Sequence, residues 1–346
     1  MHAKEPPMRA VALTKYLPSD HPEAFVDVEL PDPTPGPGDL LVRVRAVSVN
    51  PVDVKVRAPK DKVEASPRVL GWDAAGVVEA VGRDVKRFRP GDEVFYAGSI
   101  AKPGTDSELH VVDARIVGRK PKGLTFAQAA ALPLTSITAW ELLFERLGVP
   151  QRKTGTPKDA LLVVGGAGGV GSMAIQLASK LTDLTVIATA SRPETVEWCK
   201  SLGAHHVVDH RQPLAAQVQA LVPGGVRYVM ALTATEQHFA QLVELMAPFG
   251  HLGIIDDPQT PLDVNAMKRK SLALHWELMF TRALYDADPL SQQRLLDTVA
   301  DLVEAGTLRT TMTQDFGPLT AANLRRAHAA VETGRTLGKI VLSGFP

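Results

Sequence analysis

The chain has 346 residues, 45% hydrophobic and 22% charged, with 38 basic residues balanced by 38 acidic ones for a formal net charge of +0. That length exceeds what one compact core usually holds, so two domains are expected, and the balanced charge argues against a nucleic-acid or membrane partner held by charge. No apolar run is long enough to span a bilayer, the first seven residues lack the apolar segment of a secretory signal, and the single cysteine, Cys199, permits neither an internal disulfide nor a cysteine-rich zinc lobe; a reducing cytoplasm is the expected setting.

Taken in order, residues 8–13 and 25–30 read as strands, and the Pro- and Gly-dense stretch 31–38 as a turn. Residues 40–49 alternate from Val42 to Val47, with Arg43 and Arg45 on the wet face. Asn50-Pro51 ends that strand, because proline cannot continue a ladder, and 53–57 reads as one helical turn. Short strands at 76–81, 93–96, 107–112 and 116–117 follow, broken by turns such as Pro90-Gly91-Asp92; 58–67 and 97–106 read as loops. This part describes a compact antiparallel barrel. The pattern then changes. A helix is predicted over 125–131, capped by Thr125 and stopped by Pro133, and a longer amphipathic one over 135–147. After a polar connector at 151–158, strands (160–164, 185–189, 207–208, 228–232, 251–255) alternate with helices (171–181, 195–202, 214–221, 239–246). That repetition predicts an α/β parallel sheet with helices on both faces, which the apolar stretch 271–280 extends. A loop at 282–289, a helix over 290–305 ended by Gly306, strands at 310–316 and 339–342 and a helix over 321–332 complete the chain.

The chain is organised around 161–171. Four apolar residues, Leu161-Leu162-Val163-Val164, run into Gly165-Gly166-Ala167-Gly168-Gly169-Val170-Gly171 and then into an apolar helical pattern. Gly166, Gly168 and Gly171 fit G-x-G-x-x-G after a strand and at the opening of a helix, the context in which the motif holds a dinucleotide. Gly166 is read as serving the tight turn, Gly168 the approach of a pyrophosphate, and Gly171 close helix–strand packing, while helix N–H groups hold the phosphates. A fold selecting NAD usually carries an acidic residue about 20 residues beyond the glycines. Here the second strand ends Ala188-Thr189-Ala190-Ser191-Arg192, with no carboxylate before Glu194. Ser191 and Arg192 suit a 2′-phosphate, so NADP(H) is the expected cofactor.

With Asn50-Pro51-Val52-Asp53 and Arg57, Leu70-Gly71-Trp72-Asp73-Ala74-Ala75-Gly76, Pro90-Gly91-Asp92-Glu93-Val94, Leu132-Pro133-Leu134-Thr135-Ser136-Ile137-Thr138 and Gly338-Lys339-Ile340-Val341-Leu342 in their order, the chain resembles the medium-chain dehydrogenase/reductase superfamily. Within it the chain is most similar to the zinc-less quinone oxidoreductase branch. The resemblance implies a GroES-like antiparallel β-barrel domain at 1–133 with a C-terminal return at 291–346, a Rossmann doubly wound parallel sheet at 134–290, a cleft where nicotinamide meets substrate, and a homodimer built along the Rossmann sheet edge. Zinc-dependent relatives carry a Cys, a His and a Glu where this chain has Asn50, Trp72 and Asp73, so no zinc is expected. Without a Lewis acid alcohol oxidation is disfavoured, and hydride transfer to a quinone or enone is the expected reaction. The resemblance places Asn50 and Thr135 at the reacting centre, Thr138 beside the nicotinamide, Lys339 near the cofactor phosphates and Trp72 in the wall of the substrate cleft. Asp53 and Arg57 are read as supporting the Asn50 loop, and Cys199 as a buried structural thiol. Two other readings compete: an NADPH-binding sensor or RNA-binding, crystallin-like protein with little catalysis, and a zinc-dependent alcohol dehydrogenase.

Overall fold

The computed structural model describes residues 7–155 and 159–346. The readings of the leading segment and of the end of the 151–158 connector fall mainly on residues outside that range. The chain divides into two compact units, one comprising Met1–Leu134 with Phe280–Pro346, the other Thr135–Met279. The return to the first unit thus begins earlier than the boundary at 290/291 read from the sequence. The cause is local packing: Phe280 is buried with its ring edge-on to Trp72 at 6.1 Å, and Asp286 pairs with Arg115 at 2.8 Å.

In the first unit the long strand Asp39–Val49 is the organising element. Its alternating side chains bury Leu40, Val42 and Val44, as a half-buried antiparallel strand requires. It pairs antiparallel with Ala74–Val81, Leu109–Asp113 and Lys339–Ser343. Glu93–Tyr96 and Gly118–Arg119 extend the sheet on one side, and Met312–Asp315 lies parallel to Lys339–Ser343 on the other. A smaller antiparallel sheet joins Val26–Leu30, Met8–Tyr16 and Lys60–Val69. The last of these corrects the loop reading of 58–67. Its sequence Lys-Asp-Lys-Val-Glu-Ala-Ser-Pro-Arg-Val is mostly exposed, so it carries little apolar alternation to read.

The second unit is a six-stranded parallel sheet in the order His206–Val208, Thr185–Thr189, Ala160–Val164, Val226–Ala231, Met246–Ile254, Ala273–Trp276. The first strand lies between those on either side, so the strand order reverses there, which is where such sheets bind ligands. Ala160–Val164 is buried along its whole length. The edge strand Ala273–Trp276 fulfils the expected extension at 271–280 and leaves Trp276 55% exposed. Where the chain passes from the first unit to the second, helix Pro133–Trp140 begins at the proline that was expected only to end the preceding helix. It continues as a π-helix over Glu141–Arg146. There Arg146 faces two buried carboxyls, Glu277 at 3.0 Å and Glu141 at 3.5 Å. Burial, reinforced by Glu141, holds the Glu277 carboxyl well above the usual range.

Candidate functional site

The Rossmann unit builds its phosphate turn as the glycine spacing requires, with the roles redistributed. Gly165, before the motif, adopts the left-handed conformation at φ +81°, and its N–H donates to Thr189 Oγ1 at 3.0 Å. Gly166 instead admits close packing: a Cβ there would lie 2.8 Å from Ala188 Cβ and 3.2 Å from Cys199 Sγ. Gly171 lets the helix seat on the turn, since its Cβ would meet Gly165 O at 2.3 Å. Gly168 has open space, with only Gly165 O at 3.6 Å, and it forms the N-cap of helix Gly169–Leu181. Ala167, Gly169 and Val170 therefore bring backbone N–H groups to the positive end of a 13-residue helix, a ready anion site, while the expected Gly168 N–H turns back to Gly165 O at 3.2 Å. Cys199 is fully buried behind the turn, and burial pushes its thiol up to about 12.

At the end of the second strand, Arg192 caps helix Pro193–Ser201 and pairs through Nε with Glu194 at 3.0 Å. A second arginine, which the sequence reading missed, joins it. Arg211 Nη2 donates to Ser191 O at 2.7 Å while its fork grips Asp209. Two guanidiniums thus flank Ser191. The signal was absent because Arg211 reaches Ser191 across 20 residues, from the loop after the neighbouring strand.

The barrel unit carries a buried polar cluster. Asn50, 1% exposed, donates from Nδ2 to Asp73 Oδ2 at 2.9 Å and to Ser48 O at 3.2 Å. Lys339 donates to Asn50 Oδ1 at 2.6 Å and Val49 O at 2.8 Å, and its ammonium lies 3.3 Å from Asp73 Oδ2. The other Asp73 oxygen accepts Leu134 N–H at 2.9 Å. Asp53, at the third position of helix Pro51–Arg57, accepts the Asn50 backbone N–H, while its Oδ1 has no partner. Arg57 pairs with Glu332 and donates to Leu17 O. Burial pushes Asp53 up to about 7 and Asp73 to about 6, the latter restrained by the Lys339 charge, while burial lowers Lys339.

Two expectations change in that light. Both N–H groups of the Asn50 amide already have acceptors, so Asn50 organises the cluster rather than offering a free donor to substrate. Lys339 is 3% exposed with three acceptors around its three N–H groups, so in this arrangement none faces a phosphate. Trp72 is 1% exposed and donates its indole N–H to Ser99 O at 3.2 Å. Ser99 in turn lines a groove of about 1160 Å³ on the barrel unit, formed by all three segments expected to be loops, among them Pro67, Ile100, Tyr285 and Pro289. Trp72 therefore backs that groove from the core. Thr135 and Thr138 are both buried on helix Pro133–Trp140, one turn apart and on one face.

The chain matches the alcohol dehydrogenase GroES-like domain over residues 36–140 and the zinc-binding dehydrogenase family over residues 202–342. It is 38% identical to a zinc-type alcohol dehydrogenase-like protein of Staphylococcus aureus strain Mu50, covering 97% of this chain and 100% of that one. It is 35% identical to the human mitochondrial NAD(P)H oxidoreductase RTN4IP1, covering 89% and 82%. Among solved structures, a putative zinc-dependent alcohol dehydrogenase from Rhizobium etli superposes with a TM-score of 0.93 at 55% identity, covering 98% of each chain. A quinone oxidoreductase from Coxiella burnetii gives 0.80 at 27% identity, covering 97% and 99%, and a mycobacterial protein complexed with NADPH gives 0.82 at 28%, covering 97% and 99%. The chain belongs to the medium-chain dehydrogenase/reductase superfamily. It is an NAD(P)-dependent oxidoreductase of that superfamily, built from a GroES-like barrel and a Rossmann sheet.

The family description implies zinc, and the residues at hand do not suit it. An amide already bonded through both ends, an indole donating its N–H, and a carboxylate held by an ammonium do not supply the three N, S or O ligands of a catalytic zinc. Among the described residues no group of three or more His, Cys, Asp or Glu side chains is placed to hold a metal ion, and no helix is long and apolar enough to cross a membrane.

Proposed function

We propose that the protein is an NADPH-dependent reductase that delivers hydride to a quinone or an alkene conjugated to a carbonyl, without zinc. One observation carries the reading: the Asn50–Asp73–Lys339 cluster, at the position where zinc-dependent relatives bind metal, closes on itself around an ammonium. No Lewis acid is then available to acidify an alcohol, and acceptors already electrophilic at carbon are favoured. When bound, NADPH supplies the hydride. The chain's own residues bind and orient. The backbone N–H groups of Ala167, Gly169 and Val170 hold the pyrophosphate, Gly168 leaves room for its approach, and Ser191 with Arg192 and Arg211 receive the 2′-phosphate. The Coxiella and mycobacterial neighbours support the acceptor class and the cofactor. A homodimer along the edge strand Ala273–Trp276 is part of the same reading, supported by the unpaired edge and the exposed Trp276.

The test is NADPH oxidation with benzoquinone-type and enone acceptors, run with and without a chelator. Turnover unaffected by chelation is expected, with NADPH preferred over NADH and that preference reduced about tenfold by Arg192→Ala. Turnover of simple alcohols that is lost on chelation and restored by zinc overturns the reading. Tight NADPH binding with no turnover of any acceptor favours a sensor instead.

A further inference from the structure

The edge strand Ala273–Trp276 pairs with Met246–Ile254 on one side, and among the described residues no strand pairs with it on the other. It is only four residues long, so few ladder hydrogen bonds hold it. A side-chain contact spans the two strands in addition. His251 stands opposite Ala273, and His275, two residues further on, shares that face of the sheet. His251 Nδ1 and His275 Nε2 approach to 3.1 Å. The ring centroids are 5.3 Å apart and the ring planes differ by 23°, so the two nitrogens face each other almost edge to edge. Tyr228, opposite His251 on its other side, continues the row with its ring at 5.8 Å. Both imidazoles are half-buried.

Such a contact exists only at some protonation levels. Two ring nitrogens at this distance hold one hydrogen between them, donated by one ring and accepted by the other. Two neutral rings can supply it, and so can one neutral ring beside one imidazolium. Two imidazoliums cannot: both nitrogens are then N–H donors, no acceptor remains, and like charges face each other. Imidazole is the side chain that makes this change between about pH 5 and 8. The neighbours lean against the second charge. Burial opposes it at both rings, Arg227 of strand Val226–Ala231 acts on His251, and Arg146 of the π-helix acts on His275. That π-helix packs over this face at Gly253, where a Cβ would lie 2.4 Å from Leu142 Cδ1. Of the carboxyls there, Glu141 and Glu145 pair with Arg146, and Glu277, held well above the usual range by burial, stays neutral while imidazole titrates.

We propose that the His251–His275 contact is an acid-sensitive latch on the edge of the Rossmann sheet: the strand is held while one hydrogen lies between the rings and is released when both rings are charged. The sign follows from linkage. Unfolded imidazoles take up protons near about pH 6.5, before the folded pair accepts its second. Lowering the pH below that value therefore weakens this edge, and the loss is complete once the folded pair is doubly charged. The latch lies within one chain and depends on neither the reductase reading nor the homodimer.

The test is hydrogen–deuterium exchange of the full-length protein, read by mass spectrometry from about pH 8 to about pH 4.5 and corrected for the intrinsic exchange rate. Protection of the Ala273–Trp276 amides is expected to fall by about tenfold or more on acidification, while that of the central strand Ala160–Val164 stays constant. His275→Gln keeps a polar side chain that cannot gain a charge, so it should leave the edge with no dependence on pH in that range; His251→Gln should do the same. Constant protection of the edge in the wild type, a fall shared by Ala160–Val164, or a fall that persists in either variant overturns the proposal. If neither variant folds, nitrogen NMR of the wild-type imidazoles decides. One shared proton at neutral pH, lost in step with the edge protection, is expected; two rings that take up protons independently overturn the latch. A fall that changes with protein concentration reports separation of copies instead and overturns it equally.

Discussion

Replacing Lys339 by Met removes a charge and keeps most of the side-chain volume, which makes it a direct probe of the barrel cluster. The ammonium lies 3.3 Å from Asp73 Oδ2, and both groups are buried. At an effective dielectric near 20, that separation corresponds to an attraction on the order of 5 kcal/mol. Loss of one partner leaves a buried carboxylate held only by Asn50 Nδ2 and Leu134 N–H, for which about 3–5 kcal/mol of destabilisation is expected. That is a large part of the roughly 5–15 kcal/mol that keeps a native protein folded. Asp73→Asn in the same chain removes the stranded charge while leaving an acceptor for Leu134 N–H. The double variant should therefore recover about 2 kcal/mol or more relative to Lys339→Met alone. Urea unfolding of wild type, both single variants and the double variant closes the cycle. Additivity within about 0.5 kcal/mol would refute the view that the two groups form one electrostatic unit.

The remaining predictions concern other parts of the two units. Gly168→Ala should leave stability almost unchanged, because its Cβ meets only Gly165 O at 3.6 Å, yet weaken NADPH binding in calorimetry by placing a methyl on the phosphate approach. Gly171→Ala should lower both stability, by about 1–3 kcal/mol in denaturant titration, and affinity, since its Cβ would fall 2.3 Å from Gly165 O. Asp53 keeps its proton in the folded protein up to about pH 7 but releases it near 3.8 when unfolded. Stability should therefore fall as pH rises through that window and level off above it, with a contribution on the order of 4 kcal/mol. Asp53→Asn should flatten the decline in a melting-temperature series. Glu277 is likewise held protonated by burial beside Glu141, so Glu277→Gln should raise the melting temperature at alkaline pH and have little effect near pH 5.

The sheet of the Rossmann unit was legible because its strands are uninterrupted apolar runs bounded by glycine turns, as Ala160–Val164 shows. Strand and helix alternate there at short range, so each element declares itself within a window of about ten residues. Lys60–Val69 was missed because its register comes from Met8–Tyr16 rather than from its own apolar pattern. The barrel cluster was half legible. Asn50, Asp53 and Asp73 stand in recognisable motifs, but the Lys339 ammonium arrives from 289 residues away, and neither spacing nor composition records that contact. The glycine spacing located the phosphate turn, yet it assigned the tight bend to Gly166 when Gly165 makes it. Which glycine bends depends on the bond from Gly165 N–H to Thr189, on the adjacent strand.

The lone thiol of the chain lies sealed behind the dinucleotide turn, 3.2 Å from where a Gly166 methyl would be, and its high pKa leaves almost none of it as reactive thiolate. An alkylating reagent can reach Cys199 only when the turn and helix Pro193–Ser201 part from each other. Labelling of this one atom, followed by intact mass, is therefore a built-in clock for the breathing of the nucleotide seat. It needs no engineered probe, and any slowing by a dinucleotide reads out directly how firmly that molecule closes its own berth.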